Sequence, residues 1–112
     1  MIGIDIIEIE RIEASIEKHG QHFLDRIFTK KEQADCLDTA NHAMRFAGRF
    51  AAKEAIAKAL GTGFGKELSW LDIEIENDEN GRPQATVKGK SIQISISHCK
   101  SHATAVALDT TS

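Results

Sequence analysis

The run Arg49-Phe50-Ala51-Ala52-Lys53-Glu54-Ala55-Ile56-Ala57-Lys58-Ala59-Leu60-Gly61 narrows what this chain can become. It carries no proline, and no glycine before its last position. Alanine, lysine, glutamate and leucine are strong helix formers, so the run predicts a helix. Gly61 is placed to end it, because glycine accepts the left-handed conformation that follows a last helical turn. At helical spacing Phe46, Phe50, Ile56, Ala57 and Leu60 share one broad face, expected to meet the core. Ala47, Ala51, Ala55 and Ala59 make much of the rest small, so another segment can approach the helix backbone closely. Glu54 and Lys58 lie one turn apart on the edge between these faces. Taken alone they read as a surface ion pair worth roughly 0.3–0.5 kcal/mol.

The flanking sequence supplies the other elements. Residues 2–8 are rich in isoleucine and read as a strand. Strict alternation puts Ile2, Ile4 and Ile6 on one face and Gly3, Asp5 and Ile7 on the other. Asp5 is then an acid inside an apolar strand, which calls for a partner or a metal unless it faces solvent at a sheet edge. From Ile9 the period becomes helical, with Ile9, Ile12 and Ile16 aligned and Gly20 as the stop. Phe23, Leu24, Ile27 and Phe28 suggest a short helical turn. Thr29-Lys30-Lys31-Glu32 matches a capping box and opens a helix through about Leu37. After a polar break at 38–42, the long helix runs from about Ala43 to Leu60.

Gly61-Thr62-Gly63-Phe64-Gly65-Lys66 has the composition of a phosphate-cradling loop but follows a helix instead of preceding one, and it is no Walker A sequence. It reads as a helix-to-strand connector whose N–H groups can approach an anion. Leu71, Ile73 and Ile75 alternate with Asp72, Glu74 and Glu76 over Trp70 to Glu76, with the apolar set inward. Residues 77–81 form a hairpin loop, and a short strand spans about Gln84 to Lys88. Ile92, Ile94 and Ile96 then alternate with serine and glutamine, a turn covers 98–101, Ala103 to Leu108 is a last strand, and a polar tail ends the chain. The expected fold is a single α+β domain over residues 1–112, with an N-terminal strand and helices followed by an antiparallel β-meander.

Bulk properties exclude several functions. The net charge is −3, which argues against a nucleic-acid binder. The basic residues are nonetheless bunched, at Arg26, Lys30, Lys31, Arg45, Arg49, Lys53 and Lys58, as a local patch for a negative partner or as solvated helix faces. Cys36 and Cys99 have neither metal-ligand spacing nor a disulfide framework, so reduced thiols in a cytoplasmic protein are expected. The apolar N-terminal stretch is too short to span a membrane and has no basic leader.

Four motifs now stand in order: Gly3-Ile4-Asp5-Ile6 followed by Arg11; Phe50-Ala51-Ala52-Lys53-Glu54-Ala55 with Lys58-Ala59-Leu60-Gly61; Gly81-Arg82-Pro83; and Ser95-Ile96-Ser97-His98. With them the chain resembles, over nearly its whole length, the holo-[acyl-carrier-protein] synthases, the short type of 4′-phosphopantetheinyl transferase. The resemblance implies Mg²⁺-dependent transfer of 4′-phosphopantetheine from coenzyme A to a serine of apo acyl carrier protein, with release of adenosine 3′,5′-bisphosphate. It places the metal carboxylates on Asp5 and Glu54 and the helix lysine on Lys58. Mg²⁺ suits such a pair, since it takes one or two carboxylates and completes its shell with waters and substrate phosphates.

The resemblance further implies coenzyme A contacts at Arg49, Lys58, Gly61, Thr62, Gly63, Pro83, Ser97 and His98. His98 also reads as a structural turn histidine. Arg11 and Arg26 are the expected contacts for the acidic carrier protein. Either Glu54 or a metal-bound water takes the serine proton. Lys53 falls within the apolar face, where its stem packs and its charge is expected to reach solvent. One copy of the Asp…Glu constellation fits the family's homotrimer with shared sites. The family commonly carries a longer segment with a helical portion between Pro83 and Ser95, where this chain has only Val87-Lys88-Gly89-Lys90-Ser91. A non-catalytic Mg²⁺–coenzyme A binding module is the alternative, and it has no need of both carboxylates and Lys58 together.

Overall fold

The computed structural model describes residues 1–110; of the polar tail, residues 111 and 112 lie outside the described residues. Among the described residues the order is β1 (Ile2–Glu8), α1 (Ile9–His19), α2 (Gln21–Ile27), α3 (Lys30–Leu37), α4 (His42–Leu60), a 3₁₀ turn (Trp70–Asp72), β2 (Ile73–Asn77), β3 (Pro83–Val87), β4 (Lys90–His98) and β5 (His102–Leu108). The strands form one sheet in the order β1-β5-β4-β3-β2, with every neighbouring pair antiparallel. The α+β expectation and nearly every element boundary are met.

Local chemistry explains several boundaries. Thr29 and Glu32 form the expected capping box at the start of α3. Gly61 ends α4 in the left-handed conformation, at φ 77°. The short link between β3 and β4 is a two-residue turn with positive φ at both Lys88 and Gly89. That is the geometry which suits the right-handed twist of a hairpin, so these strands join without a further segment.

α4 is the spine of the molecule. It lies across β1, β5 and β4 with α1 and α3 against it. On the sheet side Ala51, Ala55, Ile56 and Ala59 pack with Ile73, Ile75, Ile92, Ala105 and Ala107. Beside it Ile12, Phe23, Leu24, Ile27, Phe28, Cys36 and Phe46 make a second cluster under α1–α3. Phe28 and Phe46 are each 1% exposed, worth about 1.5–3 kcal/mol apiece in removed apolar surface.

Two expectations need correction. α4 does not bury one broad face. Arg49, Ala51, Ala52, Lys53, Ala55, Ile56, Ala57 and Ala59 are all buried, whereas Phe50 and Leu60 are only half-buried. A helix with layers on most sides is buried nearly all round, and its charged residues go in with it. Leu71 does not point inward but is 50% exposed. Ser69 and Asp72 cap each other and wind Trp70–Asp72 into a 3₁₀ turn, so strict alternation begins only at Ile73. In β1 the alternation holds and its apolar set faces outward: Ile2, Ile4 and Ile6 are 65–69% exposed.

Candidate active site

The site begins with a missing side chain. A Cβ at Gly3 would lie 1.9 Å from the Ala55 carbonyl oxygen and 2.7 Å from the Ala59 nitrogen. Glycine on β1 and alanine on α4 therefore bring strand and helix almost backbone to backbone. Asp5, two residues along β1, faces α4 on the same side. Lys58 Nζ donates to Asp5 Oδ1 at 3.1 Å and to the Ile4 carbonyl at 3.0 Å. Asp5 is thus no solvent-facing edge residue: its side chain is 16% exposed, against 55% for Lys58.

Glu54 stands one turn before Lys58. Its carboxyl is pushed above the ordinary glutamate value by burial first and by the charge of Asp5 second, with Lys58 partly opposing. Two carboxylates that repel, with an ammonium already bonded to one of them, favour added positive charge between them. The donor set suits Mg²⁺, a hard cation that takes one or two carboxylates and fills its shell with waters and substrate phosphates.

The other proposed contacts lie elsewhere. Arg49 and Lys58 are separated by about two and a half helical turns, which places them on opposite sides of α4. Arg49 borders a cleft of about 170 Å³ with Met44, Arg45, Gly48, Asn77, Gly81, Pro83, Ile96 and His98. Arg49 is 4% exposed, and its Nε and Nη2, with the Nε of Arg45, are buried donors without a protein partner among the described residues. Such donors are costly when unpaired and are matched by an anion. The structure therefore joins Arg49, Pro83 and His98 to one another but not to Asp5, Glu54 and Lys58.

Ser97 is in register with Thr104, which faces Ile6. It therefore points away from α4, on the outward side of the sheet. Gly61, Thr62 and Gly63 are exposed in the loop after α4, and Arg11 and Arg26 are exposed on α1 and α2.

The largest correction concerns Lys53. Its charge does not reach solvent. Lys53 and Glu32 form an ion pair at 2.7 Å with both side chains 0% exposed. Arg45, which the sequence offered only as part of a basic patch for a negative partner, borders the same cleft one turn before Arg49. Nothing in the sequence marked Met44 or Asn77.

Residues 1–110 match the model of the 4′-phosphopantetheinyl transferase superfamily. The holo-[acyl-carrier-protein] synthase of Protochlamydia amoebophila is 55% identical over 115 residues, covering 96% of this chain and 94% of that protein. The crystal structure of the Helicobacter pylori holo-[acyl-carrier-protein] synthase in complex with coenzyme A superposes with a TM-score of 0.89 at 40% identity, over 96% of this chain and 98% of that one. A Bacillus anthracis holo-(acyl-carrier-protein) synthase in complex with CoA (3′,5′-ADP) gives a TM-score of 0.85 at 45% identity, over 95% and 91%. A five-stranded antiparallel sheet spanned by one alanine-rich helix is the framework this chain shares with those two synthases. The chain belongs to the 4′-phosphopantetheinyl transferase superfamily and, within it, to the holo-[acyl-carrier-protein] synthases, a family of enzymes.

Proposed function

We propose that this enzyme transfers 4′-phosphopantetheine from coenzyme A to a serine hydroxyl of an apo acyl carrier protein, depends on Mg²⁺, and releases adenosine 3′,5′-bisphosphate. The observation that carries the proposal is the Lys58–Asp5 contact where β1 meets α4, with the half-buried Glu54 one helical turn before Lys58. A bond forms between the serine oxygen and the phosphorus bearing the pantetheine arm. The bond from that phosphorus to the bridging oxygen breaks, the bisphosphate leaves with the bridging oxygen, and the serine proton passes to the Glu54 carboxylate or to a water beside it. Phosphoryl transfer of this kind depends on positioning and charge more than on covalent participation by the protein. Asp5 and Glu54 would hold Mg²⁺, which when bound supplies a Lewis acid for the diphosphate. Lys58, half-exposed and one turn from Glu54, neutralises charge on the same diphosphate. Arg49 and His98 meet the nucleotide end of coenzyme A, where the unpaired guanidinium donors suit phosphate, with Pro83 beside them. Gly61, Thr62 and Gly63 approach the same molecule through backbone N–H groups, and Arg11 and Arg26 face the carrier protein.

The two halves of this site stand on opposite flanks of α4, and β1 leaves Ile2, Ile4 and Ile6 outward on an edge strand. Both features support a closed homotrimer in which one chain supplies Asp5, Glu54 and Lys58 and a neighbour supplies Arg49, Pro83 and His98. The setting is the cytoplasm, in line with the two free thiols at Cys36 and Cys99. Among the described residues no helix is long and apolar enough to cross a membrane. Chromatography of a reaction with coenzyme A, apo acyl carrier protein and Mg²⁺ tests the proposal. It predicts one adenosine 3′,5′-bisphosphate for each coenzyme A consumed, and none after chelation of the metal. Coenzyme A binding without bisphosphate release would favour the non-catalytic module instead.

A further inference from the structure

α4 meets the sheet largely through alanine. Ala51, Ala55 and Ala59 are buried there, and Gly3 opposite them contributes no side chain. A smooth face permits close approach, but it lacks the ridges that normally fix how a helix is turned about its axis. The site depends on that turn, because consecutive helical residues point about 100° apart. The residue just before Glu54 supplies a fixed point. Lys53 Nζ donates to the Ile27 carbonyl at 2.7 Å, to Glu32 Oε1 at 2.7 Å and to the Trp70 carbonyl at 3.0 Å. All three ammonium protons are used. Glu32 in turn accepts from Thr29 N and Ile75 N, each at 2.8 Å. One buried network ties α4 to the end of α2, the start of α3, the 3₁₀ turn and β2.

We infer that Lys53 and Glu32 are positioning residues for the active site: by pinning α4 in rotation they hold Glu54 toward Asp5, so a carboxylate on α3 sets the geometry of a pair it does not touch. This rests on Asp5 and Glu54 being the working carboxylates. A buried ion pair is weak grounds for stability, since an apolar pair of like volume often serves as well. What the ion pair adds is direction. A side-chain tip rides about 5–6 Å from the helix axis, so a rotation of about 10° moves it by about 1 Å. A misplacement of that size costs about 100-fold in rate.

The test uses the full chain carrying Glu32→Gln, which keeps the shape and removes the charge. Steady-state transfer to apo acyl carrier protein gives kcat and KM, and electron paramagnetic resonance titration with Mn²⁺ in the presence of coenzyme A gives metal affinity apart from turnover. Expected are a kcat about 10- to 100-fold lower, KM values for coenzyme A and carrier within about threefold, and Mn²⁺ binding weakened about tenfold. These losses persist in sucrose at a concentration that restores the wild-type melting temperature. Wild-type kcat and Mn²⁺ affinity in a variant that melts lower, or recovery of both in sucrose, would reduce the pair to a structural contact and overturn the inference. Should Glu32→Gln not fold, Lys53→Arg keeps the charge and shifts the donor, and the same measurements decide: the same losses support the inference, and wild-type values overturn it. Absence of transfer by the unchanged protein is a separate result, which overturns the transferase reading and this inference with it.

Discussion

Gly3→Ala is the most severe small change this fold offers. The added methyl would meet the Ala55 carbonyl oxygen at 1.9 Å, so β1 must retreat by about 1.5 Å to regain ordinary contact near 3.4 Å. The obstacle is helix backbone, which has no rotamer to change. Among the described residues β1 pairs only with β5, so its other edge allows the retreat without unfolding the sheet. Overpacking of this kind costs about 1–3 kcal/mol, and the backbone contact puts Gly3→Ala toward the upper end. For a domain of this size that lowers the melting temperature by about 5–20 °C. Asp5 moves with the strand and leaves the Lys58 ammonium, now 3.1 Å away, so transfer should fall about 100-fold even where the variant is fully folded. Differential scanning calorimetry and carrier-protein modification measured on one preparation check both effects. A Gly3→Ala protein with an unchanged melting temperature and wild-type turnover would refute the close approach on which this description of the site depends.

Asp5→Asn should stay folded, since its partly exposed pair with Lys58 is worth about 1 kcal/mol or less, and lose transfer to background; near-wild-type turnover in a folded variant would remove Asp5 from the site. Lys58→Ala should likewise melt close to wild type and turn over slowly, whereas Lys53→Met strands a buried Glu32 carboxylate at about 3–5 kcal/mol. Thermal melts of the two variants side by side should show the larger drop for Lys53→Met. Glu54 has a folded pKa above its ordinary value of 4.5, so its contribution to stability is present below that value and lost as pH rises through the raised one. Without divalent metal, Glu54→Gln should therefore melt higher than wild type near pH 7, and the advantage should shrink on acidification toward 4.5; an advantage independent of pH would contradict the sign. If neighbouring chains share the site, light-scattering mass and activity per chain should fall together on dilution, and Asp5→Asn mixed and reassembled with His98→Ala should regain part of the activity; a fully active monomer would end the shared-site account.

Much of this was legible in the sequence because the signals were local. The period of α4, the capping box at Thr29 and Glu32, the glycine stop at Gly61 and the alternation of β1 each depend on neighbours within a few residues. Asp5 stood out as an acid in an apolar strand, and only the spacing of several motifs joined it to Glu54 and Lys58 across half the chain. The burial of Lys53 was not legible. Its partner lies 21 residues away, and a lysine on an apolar face looks the same in sequence whether its ammonium snorkels outward or is met inside. Leu71 was misplaced because alternation cannot show where a cap tightens the chain into a 3₁₀ turn. The cleft at Arg45 and Arg49 was only half visible, since Asn77, Pro83 and His98 reach it from separate strands and loops.

The central claim, that Asp5, Glu54 and Lys58 work together in phosphopantetheine transfer, is tested most directly by the intact mass of apo acyl carrier protein after incubation with coenzyme A and Mg²⁺. The account predicts that the wild-type protein adds the mass of one phosphopantetheine to each carrier molecule. It predicts no added mass with folded Asp5→Asn, or with wild type after chelation of the metal. A carrier left unmodified by the wild-type protein, or modified equally well by Asp5→Asn, would contradict it.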